Sequence, residues 1–234
     1  MEYLRSKPSS TRWLLLLLLL MLPVLTLVNE NHGLLDLLRS RAPDGQLLYL
    51  LSKLFGLSAF VLLCAQVFLT VLGLITKRIN FIEAGKSFHI ALGLVLTTVI
   101  LSHASLFIIA VSLRSGHSAL HLLLPNLTGG YYALAVSFGV LSLYLVVCSV
   151  YFGYKARSRK HKSRQFRNGH LLVYVFSALV LVHARMIGSE IQSGWFQWFY
   201  WLAVVCFVVA GLIRLTGLAI ASRKRPASEG AKAC

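Results

Sequence analysis

The sequence predicts an all-α membrane protein: a six-transmembrane helix bundle with its N- and C-termini cytoplasmic. Three observations predict it. Of 234 residues, 57% are hydrophobic and only 13% charged, and the mean hydropathy is +0.75, far too apolar for an ordinary soluble domain. Six apolar runs approach or exceed the roughly 20 residues a helix needs to cross the hydrocarbon. Lys and Arg gather in alternate connections between those runs, the asymmetry that orients a polytopic chain.

The six runs lie at about 12–28, 47–76, 88–113, 131–154, 170–188 and 196–221. The first follows Arg5, Lys7 and Arg12, as a signal peptide would, but no small-x-small cleavage site comes after it. It reads as a retained anchor. Residues 1–11 then form a basic cytoplasmic N-terminus, 12–222 a single six-span domain and 223–234 a cytoplasmic tail. Orientation follows from the basic clusters: Lys77, Arg78 and Lys86 in the second connection, seven Lys and Arg between Lys155 and Arg167, and Arg223, Lys224, Arg225 and Lys232 in the tail. The other connections hold chiefly Arg39, Arg41 and Arg114 together with Asp36, Asp44 and Glu190. The formal net charge of +16 therefore reflects topology and contact with anionic membrane lipid, and no nucleic-acid partner is expected.

Four histidines within the apolar runs carry the functional argument. His89 and His103 lie in the third run, and His170 and His183 in the fifth, fourteen and thirteen residues apart. Both runs start at the cytoplasmic face, so the natural pairs are His89 with His170 near the inner leaflet and His103 with His183 near the outer. At ~1.5 Å rise per residue the two levels are separated by roughly 20 Å. Ionisable residues within a bilayer are costly and mark function, and a neutral imidazole is a good haem-iron ligand. Two imidazoles per iron leave no vacant coordination position, which favours electron transfer over substrate binding at the metal. The residues thus predict two haem b groups, one per leaflet, with the four histidines as axial ligands of the iron.

The angular test is half passed. Fourteen residues at about 100° return to within ~40° of the starting face, whereas thirteen miss it by ~140°. The fifth span must bend, contain a π-bulge, or present its two histidines on different flanks. Gly93, one turn after His89, and Ala104 and Ser105, beside His103, would keep the helix surface low for a flat porphyrin, or serve ordinary helix packing. Arg185, two residues after His183, is a candidate to neutralise a propionate of the outer haem, or snorkels to the interface; Lys53 and Arg214 invite the same two readings.

The segments Ser87-Phe88-His89-Ile90-Ala91-Leu92-Gly93 with Leu101-Ser102-His103-Ala104-Ser105-Leu106, and Phe166-Arg167-Asn168-Gly169-His170-Leu171-Leu172 with Leu181-Val182-His183, resemble the third and fifth spans of the ferric reductase and NADPH oxidase membrane domain. The resemblance covers spans two to six. It implies a ferric reductase-like haem subunit, an oxidoreductase component passing electrons outward through the two haems. Full-length members carry a cytoplasmic flavin and nicotinamide domain, for which no Gly-rich fingerprint occurs in this sequence. Flavin is therefore expected only on a separate partner: the donor is a separate cytoplasmic flavoprotein reductase or quinol, and the acceptor a small molecule or a periplasmic protein. Ile90 stands where the family commonly has a basic residue, and Phe107 where oxygen-reducing members tend to be polar. The alternative is similarity to the haem-binding membrane adaptor of periplasmic methionine sulfoxide reductase, although that branch generally lacks the equivalent of His89. A non-redox transporter or scaffold subunit is the remaining class. The expected location is the inner, plasma membrane of a bacterium, as a multi-pass integral protein.

Remaining features add less. Cys64, Cys148 and Cys206 lie within spans, and no C-x-x-C pair supports zinc or iron–sulfur. His117 and His121 have helical spacing in an outer loop, as metal ligands or on a solvated loop helix. The cluster from Lys155 to Arg167 suits either lipid or an acidic donor protein, and Asn126-Leu127-Thr128 matches a glycosylation sequon.

Overall fold

A computed structural model describes residues 10–30, 43–76, 79–157, 169 and 171–223, and these are predominantly helical with no strand among them. Helix α1 is Ser10–Glu30, α2 Gln46–Thr76, α3 Ile79–Ser115, α4 Gly130–Arg157, α5 Leu172–Ile187, α6 Ser189–Gln192 and α7 Gly194–Arg223. Four segments are long and apolar enough to cross a membrane: Gln46–Leu69, Phe88–Ser115, Gly130–Lys155 and Gly194–Ile213. Two shorter apolar segments, Leu17–Val28 and Leu172–Ile187, fall in α1 and α5.

The outward faces account for the composition. On α7, Trp198, Trp201, Leu202, Val205, Val208, Val209 and Leu212 are all exposed, recurring every three or four residues along one stripe. On α3, Leu94, Val95, Leu101, Ile109 and Leu113 are exposed as well. Surfaces of this kind are too large and apolar for water and suit lipid.

Two antiparallel hairpins dominate the interior, α2 with α3 and α4 with α5. The first keeps one register throughout. Gly45 meets Ala110, Ser52 meets His103 and Gln66 meets His89, so steps of seven and fourteen residues along α2 match equal steps back along α3. A seven-residue repeat stays on one face of a helix, which is the geometry of a continuous packed seam. Gly45 starts the seam for a steric reason. Its φ is +76°, and a Cβ there would lie 2.5 Å from the Ala110 carbonyl oxygen, so only glycine permits the approach.

Helix α2 lies between two core clusters. Ala59, Leu62 and Leu63 pack against Leu92 and Leu96 of α3, Val146 of α4 and Phe176 of α5. Leu57, Phe60 and Val61 pack against Leu27 of α1, Ile191 of α6, and Phe196 and Tyr200 of α7. Phe60 stacks on Tyr200 at 5.9 Å between ring centroids and meets Phe196 and Phe199 at 6.1 Å. Such offset and tilted ring contacts add to dispersion packing. In lipid this packing and interhelical hydrogen bonds replace hydrophobic collapse as the source of helix association. Helix α1 carries Pro23 inside it, which removes one backbone donor there; nearby, the Thr26 hydroxyl donates to the Leu22 carbonyl at 2.8 Å.

Candidate functional site

His103 and His183 lie near the open ends of their hairpins, each held against the preceding helix. The α3 residue His103 places its ring Nδ1 2.7 Å from the backbone carbonyl of Ser52 on α2. On α5, His183 places Nδ1 2.8 Å from the carbonyl of Ala135 on α4. A carbonyl only accepts, so in each ring Nδ1 carries the proton. Each Nε2 is then left with its lone pair, the tautomer and orientation expected of a metal-ligating imidazole whose other nitrogen is anchored in the protein.

One turn beyond each accepting carbonyl stands a glycine. A Cβ on Gly56 would fall 3.0 Å from both Cε1 and Nδ1 of His103, and one on Gly139 would fall 2.7 Å from Cε1 and 2.8 Å from Nδ1 of His183. The rings therefore rest directly on the backbone of the preceding helix. Both hairpins use the same local pattern: a carbonyl, a glycine four residues later, and a histidine on the returning helix. Sequence reasoning did not single out Ser52, Gly56, Ala135 or Gly139. A small residue on the preceding span at the depth of each histidine is the signal that could have found them.

Ser52 does more than offer its carbonyl. Its hydroxyl donates to the His103 carbonyl at 2.9 Å and lies 3.1 Å from Nδ1, where the ring N–H makes it an acceptor. At the other level, Gln66 Nε2 donates to the His89 carbonyl at 3.0 Å. Gly93 is accounted for by the same side chain, since a Cβ there would come 3.1 Å from Gln66 Nε2. The low helix surface at Gly93 thus admits α2. Ser105 and Ile90 are exposed on the bundle's outer face.

His170 lies outside the described residues, so its pairing with His89 does too. Its neighbours are informative. A Cβ on Gly169 would come within 2.6–2.8 Å of the Phe152 ring of α4, which fixes the approach to α5 closely. Leu171 is a turn residue, and Tyr174 N–H donates to its carbonyl at 3.0 Å. The regular helix begins only at Leu172 and contains no π turn through Ile187. A π-bulge within α5 is therefore not the device used.

Charged groups near this end are committed to α6. Lys53 forms an ion pair with Glu190 and donates to Ser189 Oγ at 3.0 Å; Ser189 Oγ donates in turn to Glu190 Oε2 at 3.1 Å. Glu190 is only 2% exposed. Lys53 is thus the partner of a buried carboxylate in the turn between α5 and α7. Arg185 Nη1 reaches the Ile191 carbonyl at 3.4 Å, while its own carbonyl accepts from Gln192 Nε2 at 3.3 Å. The Arg214 side chain lies outside the described ones. His117 and His121 do not share a helix as their spacing suggested: His117 sits in a bend and His121 in the 3₁₀ turn Leu120–Leu123, both exposed. Among the described residues no group of three or more His, Cys, Asp or Glu side chains is arranged for a metal ion. Thr128 N–H and hydroxyl both bond Asn126 Oδ1, at 3.2 and 3.3 Å, in an exposed turn.

Comparison of the chain with family models, curated proteins and solved structures found no match.

Proposed function

We propose that this protein is a transmembrane electron carrier of the ferric-reductase type, with six spans, cytoplasmic termini and two haem b groups held by four axial histidines. His103 and His183 would hold the outer group, and His89 and His170 the inner. The observation that carries the reading is the matched anchoring of His103 and His183, each with Nδ1 bonded to a backbone carbonyl and Nε2 left as the ligand atom. A ring in an apolar bundle with no such purpose gains nothing from being set against a glycine, where any side chain would displace it.

A bis-imidazole haem supplies one-electron exchange with no open coordination position. The chain's own part is to fix tautomer, ring orientation and dryness. The Ser52 and Ala135 carbonyls hold the proton on Nδ1 at all times, and the α2 and α4 backbones prevent either ring from rotating away. Ala59, Leu62, Leu92 and Phe176 fill the interior beside the seam, which keeps water from the path between levels. Electrons would enter from a separate cytoplasmic flavoprotein or quinol and leave to an acceptor at the outer face, in a bacterial plasma membrane.

The test is an oxidised and dithionite-reduced absorption spectrum of the purified protein, with pyridine haemochrome quantitation per chain. Two b haems per chain is the expected result. One would select the adaptor subunit feeding a periplasmic reductase. None, in protein made with ample haem, would sink the reading and leave a transporter or scaffold.

A further inference from the structure

Buried hydroxyls in these helices generally serve their own helix. Thr26, Ser142 and Ser177 each donate to the carbonyl four residues back, at 2.7–2.8 Å, the ordinary way a small polar side chain is satisfied within a helix, and Ser137 adds to such a bond a contact with the Asn126 backbone of the preceding loop. Helix α2 behaves differently. Its two buried polar side chains among the described residues are Ser52, 2% exposed, and Gln66, 8% exposed. Both cross to α3, and each donates to the backbone carbonyl of a histidine: Ser52 to His103 and Gln66 to His89.

Many carbonyls along α3 face that seam, and polar donors are expensive to place in an apolar span. Two such donors both finding a histidine, fourteen residues apart on each helix, is a specific arrangement. Helix α2 is also the element packed on both sides by core clusters, so it is the rigid member of the pair. A ligand set from a rigid neighbour keeps its ring orientation, and outer-shell contacts of this kind tune a bound metal.

Resting on the electron-carrier reading, we propose that Ser52 and Gln66 are paired positioning residues, one for each redox level, through which α2 sets the reduction potentials of the two haems separately. Ser52 fixes the α3 backbone at His103 and accepts from its Nδ1–H; Gln66 fixes the backbone at His89. Loosening Ser52 weakens the Nδ1 hydrogen bond, makes the imidazole a poorer donor to ferric iron and raises the potential of that haem.

The experiment is a potentiometric titration, with ferric low-spin EPR, of the full-length protein and the variants Ser52→Ala, Gln66→Met and Thr26→Val. Thr26→Val is the control, removing a buried hydroxyl that bonds within its own helix. Each haem is identified by its absence in His103→Ala or His89→Ala. Ser52→Ala should raise the potential of the His103 haem and alter its EPR signal while leaving the other in place; Gln66→Met should move the other alone; Thr26→Val should move neither. If Ser52→Ala fails to load the haem, Ser52→Thr should restore it, and failure of that rescue would overturn the proposal. Two haems per chain with potentials unmoved in both variants, or moved as much by Thr26→Val, would overturn it while sparing the electron-carrier reading. A wild-type protein without haem would overturn both.

Discussion

The α2–α3 and α4–α5 hairpins solve one problem with different materials. Both bring a histidine on the returning helix against a carbonyl and a glycine of the helix before it. The first adds polar side chains at two depths on a single seven-residue register, with Ser52 and Gln66 touching the histidine carbonyls. In the second, the partner of His183 is the carbonyl of Ala135, a residue with no polar side chain, and close fit supplies the rest, as where Gly169 meets the Phe152 ring. The difference shows that a fourteen-residue spacing suits a straight paired seam, on which both histidines of α3 meet polar side chains of α2.

The comparison breaks most visibly if the two hairpins do not meet at one site. His103→Ala and His183→Ala should each remove the same single haem, half of the expected total, and the double variant should remove no more. Pyridine haemochrome quantitation with EPR identification of the surviving signal checks this. Loss of a different haem in each single variant would separate the two histidines and undo the pairing.

Much of the first hairpin was legible because its features lie along one chain segment. The apolar run 47–76 became Gln46–Thr76, and in the second hairpin 131–154 became Gly130–Arg157. The run 88–113 matches the apolar segment Phe88–Ser115, and the helix that carries it extends back to Ile79 through the more polar stretch with Glu83 and Lys86. The histidines were legible because a costly residue in an apolar span stands out. Their partners were not. Gly56, Gly139, Ser52 and Ala135 are ordinary residues of membrane helices, and they matter only through the register between helices. Helices apolar on every side carry no stripe from which that register can be read. Lys53 shows the same limit: its depth was legible, its partner Glu190 was 137 residues away.

That ion pair is the next largest effect, because it joins the first hairpin to the turn that follows the second. Glu190→Gln leaves the Lys53 ammonium without its carboxylate in a largely enclosed site, and should lower stability by about 3 kcal/mol. A Lys53→Met, Glu190→Leu double variant should recover most of the loss, since a well-packed apolar pair avoids desolvation of both charges. Unfolding in detergent, followed by tryptophan fluorescence, distinguishes them. Equal loss in the single and double variants would mean that packing of α6, and not the charge pair, joins the hairpins.

The two glycines give a finer comparison. A methyl at position 139 would sit 2.7 Å from the His183 ring, and one at position 56 would sit 3.0 Å from the His103 ring. Overpacking costs about 1–3 kcal/mol, so Gly139→Ala should fall toward the upper part of that range and Gly56→Ala toward the lower. Gly139→Ala should also reduce occupancy of the outer haem more, because Ala135, unlike Ser52, adds no hydroxyl to its carbonyl contact with the ring. Haem per chain and the thermal midpoint measure the two effects; a larger loss from Gly56→Ala would show that the α2 side is the less tolerant.

The outer ends of the hairpins provide the smallest contrast. Arg114 closes α2–α3 through Gln46 and lies over the Tyr49 ring at 5.7 Å, whereas Tyr131 closes α4–α5 through one hydroxyl bond to the Met186 carbonyl at 2.9 Å. All of these groups are exposed or nearly so, where a cation–π contact or a hydrogen bond contributes about 0.5–1 kcal/mol. Arg114→Ala removes two contacts and should lower the thermal midpoint more than Tyr131→Phe, which removes one. Neither should change haem content, because the histidines are held by backbone carbonyls a turn or more inside these closures. If Tyr131→Phe did release the outer haem, α5 would owe its depth to that single hydroxyl, and the second hairpin would be held from its end and not along its length.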